Sequence, residues 1–285
     1  MMKILTQKRC TIGEGPIWCE REGLLYFVNG MENEICTYNP DTETICAYPQ
    51  ELGVAAIAFA RDGRMLVTRR DGAFFLDLKQ GTTSPMYDET IKISNANDAK
   101  VGPDGCFYVG TQSEFRLGLS EKIDGKLYRI TPDGEVTVLL DRLILANGMD
   151  WSPDERFFYL ADTGAKKVRK YAFDKGKIQF TGQEVHVSGA DGLTVDQSGT
   201  IFVASWGKNC IVSIDPETMQ IKDTIPVPTK APASCAFFGK EMNQLAITTA
   251  NFGIDTEEDK NAGFLFIQSM NTQGRLPYLL GEKTQ

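Results

Sequence analysis

Short apolar runs of three to five residues recur along the chain, each set off by polar or glycine punctuation. The clearest copy is Ala146-Asn147-Gly148-Met149-Asp150-Trp151-Ser152-Pro153-Asp154, followed by the run Phe157-Phe158-Tyr159-Leu160. Related copies begin at Glu14, Ala55, Asn97, Asn147, Asp191 and Ser234, spaced by 41, 42, 50, 44 and 43 residues. Within a copy the leading residue stands eight positions before a turn residue: Glu22, Gly63, Gly105, Glu155 and Gly199 in the first five. A second apolar run follows, as in Leu24–Phe27, Met65–Val67, Phe107–Val109 and Ile201–Ala204. The sixth copy is looser and asks for a small insertion before Leu245-Ala246-Ile247.

This pattern predicts strands. The runs are short and turn-bounded, and no long 3.6-residue period competes. Asp62-Gly63 and Asp104-Gly105 are hairpin signals, because glycine reaches positive φ without steric cost. Third strands are predicted at Lys126–Ile130 and Lys167–Tyr171, with Tyr38-Asn39-Pro40, Thr131-Pro132-Asp133 and Asp215-Pro216 closing their blades. Units of about 40–50 residues repeated six times predict an all-β, six-bladed β-propeller, one domain over residues 1–285. A last run, Gly263–Ile267, is expected to pair with an N-terminal strand, closing the ring and leaving few free edges.

Composition narrows the function. The 285 residues carry a formal net charge of −8, which argues against nucleic acid and anionic membrane surfaces as partners. No stretch reaches 18 apolar residues and Met1-Met2-Lys3-Ile4-Leu5-Thr6 lacks the core of a signal peptide, so a cytoplasmic protein is expected. The seven cysteines are scattered without a C-x-x-C, which fits reduced thiols. The single histidine, His186, is far in sequence from any cysteine, which disfavours a thiol–imidazole pair.

The chemistry lies at the leading residues. Inner strands of a propeller converge on a central channel, so Glu14, Ala55, Asn97, Asn147, Asp191 and Ser234 are expected to face one another across the axis. Four of them carry carboxylate or carboxamide oxygens. Two carboxylates in a narrow channel repel unless a proton or cation lies between them. An oxygen-only set suits one hard divalent ion, Ca²⁺, Mg²⁺ or Mn²⁺, with Zn²⁺ possible but unsupported by His or Cys.

At these residues the chain resembles the senescence marker protein/gluconolactonase/luciferin-regenerating enzyme family. The resemblance is carried by Gly13-Glu14-Gly15-Pro16-Ile17-Trp18, Asn97-Asp98-Ala99-Lys100 with Pro103-Asp104-Gly105, Asn147–Asp154, Asp191–Asp196 and Ser234–Phe237. It runs from about residue 8 to 280. It implies a lactonase with one divalent metal held by Glu14, Asn147 and Asp191. Asn97 would be a further ligand or substrate contact, and Asp191 also the general base. Gluconolactonase-type members often have an arginine two residues before the third-blade Asn, where this chain has Asn95. By the same resemblance Glu114 and Arg116 are candidate substrate contacts. The expected reaction is hydrolysis of a small lactone, of the sugar (aldono)lactone type, with the metal polarising the carbonyl and Asp191 or a metal-activated water supplying the nucleophile. Two alternatives stay open: hydrolysis of another ester or organophosphate, and a non-enzymatic binding propeller. Oligomeric state, monomer or dimer, is left open. Trp18 and Trp151 are expected to fill space between blades, Trp206 is an architectural residue and a candidate for the channel rim, and Asp162 and Asp196 are expected to serve turns. The acidic segment 251–261 is a lid candidate.

Overall fold

The computed structural model describes residues 2–282. Twenty-four strands form six four-stranded antiparallel sheets. The first blade is β2–β5; its bounds follow from the chain, after β1 (Lys3–Leu5), as β2 (Gly13–Cys19), β3 (Leu24–Asn29), β4 (Glu34–Asn39) and β5 (Thr44–Pro49). The second holds β6 (Ala56–Phe59), β7 (Met65–Arg69), β8 (Gly72–Asp77) and β9 (Thr82–Pro85). The third holds β10 (Ala96–Val101), β11 (Phe107–Thr111), β12 (Gly125–Ile130) and β13 (Val136–Leu143). The fourth holds β14 (Ala146–Trp151), β15 (Phe157–Asp162), β16 (Lys167–Asp174) and β17 (Lys177–His186). The fifth holds β18 (Ala190–Val195), β19 (Ile201–Ser205), β20 (Cys210–Ile214) and β21 (Ile221–Pro226). The sixth holds β22 (Pro232–Phe238), β23 (Gln244–Thr249) and β24 (Leu265–Ser269), and takes β1 as its outermost strand.

Ring closure follows from that last pairing. Lys3, Ile4 and Leu5 lie opposite Ile267, Phe266 and Leu265. The strand edge that β24 would otherwise expose is thereby covered.

Two differences from the sequence reading have physical causes. Blades do not end after the third strand. Each of the first five continues into an outer strand with almost no buried residue, such as Thr82–Pro85 with all four residues exposed; among these five strands only Leu143 is buried. Such a strand has no buried face to impose a regular alternation on the sequence. The sixth repeat needs no insertion either. Its second strand begins at Gln244, ten residues after Ser234, as Phe157 follows Asn147 and Ile201 follows Asp191. Met242 takes the left-handed turn position with φ 49°, where Gly63, Gly105, Glu155 and Gly199 stand in blades two to five. A methionine there hides the turn from sequence.

The core lies between blades. One cluster joins Tyr108, Trp151 and Phe158, with Trp151 ring centroids 4.9 and 5.0 Å from the other two. Trp18 packs against Phe238 at 6.0 Å between blades one and six. Both tryptophans fill inter-blade space, as expected.

Sheet register fixes which ends share a face. In blade four, Ala146 pairs with Asp162, Asp162 with Lys167, and Lys167 with His186. The start of an inner strand therefore lies beside the link between second and third strands and the link to the next blade. Those loops surround the channel mouth.

Candidate active site in the central channel

The leading residues sit at backbone irregularities. The pairing of inner and second strands slips between Glu14 and Ile17, Ala96 and Ala99, Ala146 and Met149, and Ala190 and Leu193. A bulge re-aims the side chains it carries. Glu14, Asn97, Asn147 and Asp191 all lie at or within these bulges, which turns their heads toward the axis. Ala55 precedes β6 and supplies only a methyl, so blade two adds no ligand.

Glycines let the inner strands meet. A Cβ on Gly148 would lie 2.3 Å from Leu193 N and 2.5 Å from Asp191 O. One on Gly192 would lie 2.0 Å from Ser234 Oγ. Side chains are excluded at both positions, and each glycine brings the preceding Asn147 or Asp191 close to the next blade.

Blade three breaks this rule. Where blades four and five have Gly148 and Gly192, it has Asp98, which lines the channel with Gly15, Ser234 and Lys100. Asp98 was passed over as a site residue. Its signal was present as the one carboxylate at a position that is glycine in blades one, four and five.

The acids press on one another. Burial, then the nearby Asp191 and Asp98 charges, hold the Glu14 carboxyl well above its usual range. Burial and Asp98 do the same to Asp191, against partial relief from Asn147 and Arg116. Asp98 is raised by burial, with relief from its Ala99 amide and Lys100. Asp191 Oδ1 is buried without a hydrogen-bond partner. An orphaned carboxylate oxygen among further acids is costly unless a cation or proton satisfies it.

The carboxamides are held by their neighbours. Asn147 Nδ2 donates to Thr163 Oγ1 at 3.1 Å, and that hydroxyl donates to Ala190 O at 2.6 Å. The side chain also bonds to the Asp191 carboxyl, which it helps to keep charged, and Oδ1 is the oxygen it would offer a cation. Asn97 Nδ2 donates to Ala146 O at 3.2 Å, while its Oδ1 accepts from Gln112 Nε2 at 3.2 Å. Gln112 therefore uses one lone pair of the Asn97 oxygen, and the second would serve a direct ligand.

An oxygen set of Glu14, Asn147 and Asp191 fits a hard divalent cation: three donors from three blades, one oxygen orphaned, and net charge to be neutralised. No group of three or more His, Cys, Asp or Glu is assembled for a metal among the described residues. The set depends on a carboxamide as its third member.

The remaining expected contacts diverge. Asn95 sits in left-handed conformation, φ 57°, with Oδ1 accepting from Arg70 Nε at 3.3 Å. Glu114 is used within its own loop: it accepts from Ser120 Oγ at 2.6 Å and pairs with Lys122 at 3.8 Å. Arg116 is exposed, yet its charge reaches Asp191. Trp206 lies half-buried in a mouth loop. Asp162 accepts from the amides of Ile144, Leu145 and Ala165, and Asp196 from those of Ser198 and Thr200, so both serve turns. The acidic segment is tied down through Asp259, which accepts from Thr229 Oγ1 at 2.9 Å and Lys230 N at 2.7 Å.

Below the acids lies an ion network that the sequence reading missed. Lys100 Nζ is 2.9 Å from Asp150 Oδ2, and Arg275 Nη2 is 3.3 Å from Asp150 Oδ1. Arg275 also donates to Trp151 O at 2.6 Å and to Tyr278 Oη at 2.6 Å. The segment 275–278 thus lines the channel end opposite the mouth. Lys100 and Asp150 each stand three residues after a leading residue, the next position facing the axis.

A six-bladed ring with these motifs has known relatives. The sequence profile of the SMP-30/gluconolactonase/LRE-like region matches residues 12–251. The chain belongs to this family. Regucalcin of Gallus gallus is 30% identical over 285 residues, 95% of each chain. A Bacillus subtilis protein named "Putative sugar lactone lactonase YvrE" is 29% identical over 283 residues, 94% of each. The crystal structure of a calcium-binding protein, regucalcin, from Agrobacterium tumefaciens superposes with TM-score 0.87 at 22% identity, covering 99% and 98% of the two chains. That likeness is one of fold. No helix among the described residues is long and apolar enough to cross a membrane.

Proposed function

We propose that this family member is a lactonase that uses one divalent cation held by Glu14, Asn147 and Asp191. The observation that carries the reading is the buried, unpartnered Asp191 Oδ1 among like charges at the channel mouth. A scaffold propeller has no need for that cost. A relative named as a lactone lactonase, aligned over 94% of this chain, supports the same reaction class.

A bound divalent cation supplies positive charge where the lactone carbonyl oxygen becomes negative. The chain's own residues do the rest. Asn97, placed beside the acids and steered by Gln112, orients the ring through its amide. Asp191 takes a proton from the attacking water and returns it to the ring oxygen as the acyl carbon–oxygen bond breaks. Its raised affinity for protons belongs to the cation-free channel; a cation held by Asp191 would lower it, so a cation-activated water is an equal source of the nucleophile. Arg116 tempers the raised affinity from the rim.

The test is Asp191→Asn measured against δ-gluconolactone and γ-lactones. Turnover is expected to fall by roughly 10²–10⁴-fold, the range for a general base. A fully active variant would rule out this assignment.

A further inference from the structure

The channel-mouth face carries exposed apolar side chains, densest at blade three, and this bears on what the site accepts. Among the described residues, the exposed large hydrophobic side chains borne on loops lie on the mouth face, apart from Leu276. The densest group is in the loop between β11 and β12: Phe115 at 45% exposure, Leu119 at 64% and Ile123 at 42%. Ile91, at 37%, lies on the mouth link of the adjoining blade two, and Met31, Leu52 and Phe252 lie on mouth loops of blades one and six. The blade-four and blade-five mouth turns, 163–166 and 206–209, carry Lys166 and Lys208 and none of these exposed hydrophobics.

That β11–β12 loop is a formed structure joined to the site. Its amides are bonded internally: Phe115 N to Lys122 O at 2.9 Å, Leu119 N to Glu114 O at 2.9 Å, Leu117 N to Ser113 O at 3.2 Å. Its base is anchored by Ser113 Oγ donating to Ile144 O and by Gln112 donating to Asn97. Arg116, between Phe115 and Leu117, acts on Asp191. Backbone bonds hold this loop, so the exposed side chains are surplus to its folding. Exposed apolar side chains on a loop tethered to a polar site through Gln112 and Asn97 are placed to bury ligand carbon.

We infer that the substrate is a lactone bearing an apolar chain on its ring, with the ring at Asn97 and Asp191 and the chain against Phe115, Leu119 and Ile123. This rests on the lactonase reading. Hydrolysis is unchanged: water's hydroxyl adds to the acyl carbon, the ring C–O bond breaks, and the proton ends on the ring oxygen, giving a hydroxy acid. The charge around the mouth favours this occupant over an anionic lipid surface, since Asp255, Glu257 and Glu258 stand on the same face.

The test is kcat/KM for γ-butyrolactone, γ-hexalactone, γ-octalactone and δ-gluconolactone, on wild type and on Phe115→Ser and Leu119→Ser, with oligomeric state followed by light scattering. Each buried methylene is worth roughly a fourfold gain at full burial. The wild type is expected to gain roughly tenfold or more from γ-butyrolactone to γ-octalactone, and both variants to flatten that slope. A flat series with δ-gluconolactone turned over overturns the inference and leaves the lactonase reading standing. No turnover of any lactone overturns both. A dimer that dissociates in Leu119→Ser, with the chain-length slope intact, would assign this face to a second copy and overturn the inference.

Discussion

Asp191, Glu14 and Asp98 make the site costly without a cation. All three carboxyls bind protons more tightly in the folded chain than in the unfolded one. A folded-state pKa above the unfolded value contributes stability at low pH that is lost as pH rises. In chelator the protein is therefore expected to lose thermal stability as pH climbs from about 4 through the raised values, and a divalent cation to restore it. Thermal melts at pH 5 and pH 8, with chelator or metal, check this; stability in chelator that rises steadily with pH would contradict it. Asp191→Asn, which loses turnover, is expected to melt higher than wild type in chelator at pH 8. Asp150 has the opposite sign. Lys100 and Arg275 outweigh its burial and hold its carboxyl below the usual range, so it stabilises at neutral pH and that contribution fades in acid. Asp150→Ala strands Lys100 and is expected to cost about 3–5 kcal/mol, as for a broken buried ion pair, measured by urea unfolding at pH 7.

At the scale of strands, the site exists because inner strands bulge and glycines let them touch. Gly148→Ala would drive a methyl into Leu193 N and Asp191 O. We expect a loss of about 3 kcal/mol together with weaker metal binding, because Asp191 must move; calorimetry of metal titration separates the two. The inner strands were the legible part of the sequence. Asn97, Asn147 and Asp191 announced themselves by recurring at one register position, eight residues before a turn. Asp98 fell outside that register by one residue and was lost, although a bulge presents two successive residues to the channel. Outer strands were illegible because they are largely exposed and, in Thr44–Pro49, Thr82–Pro85 and Val136–Leu143, show no regular alternation of buried and exposed positions. Lys100, Asp150 and Arg275 were missed for another reason: a buried ion pair joins residues 50 and 125 positions apart, and no local pattern records it.

The whole ring depends on β1. Three residues cover the edge of β24, and the last of them, Leu5, is buried in the core. Removing residues 1–6 is expected to lower the melting temperature and to broaden the transition, as blade six frays; an unchanged melt would show that closure lies elsewhere. Closure also explains how the polar channel can be rigid. Blades pack through Trp18, Trp151 and their aromatic neighbours, so the leading residues are fixed by the core rather than by loops. Only the mouth loops are free to set specificity. The six-fold repeat made the architecture readable from spacing alone, whereas the mouth's chemistry resides in the irregular insertions 112–124 and 250–264, where the repeat says nothing.

The most direct measurement is proton release from lactones by chelator-stripped protein, with Ca²⁺, Mg²⁺, Mn²⁺ or Zn²⁺ added back singly. Restored turnover with at least one cation, abolished by Asp191→Asn, is the predicted result. Turnover that persists undiminished in stripped protein, or no turnover with a cation demonstrably bound, would contradict the account.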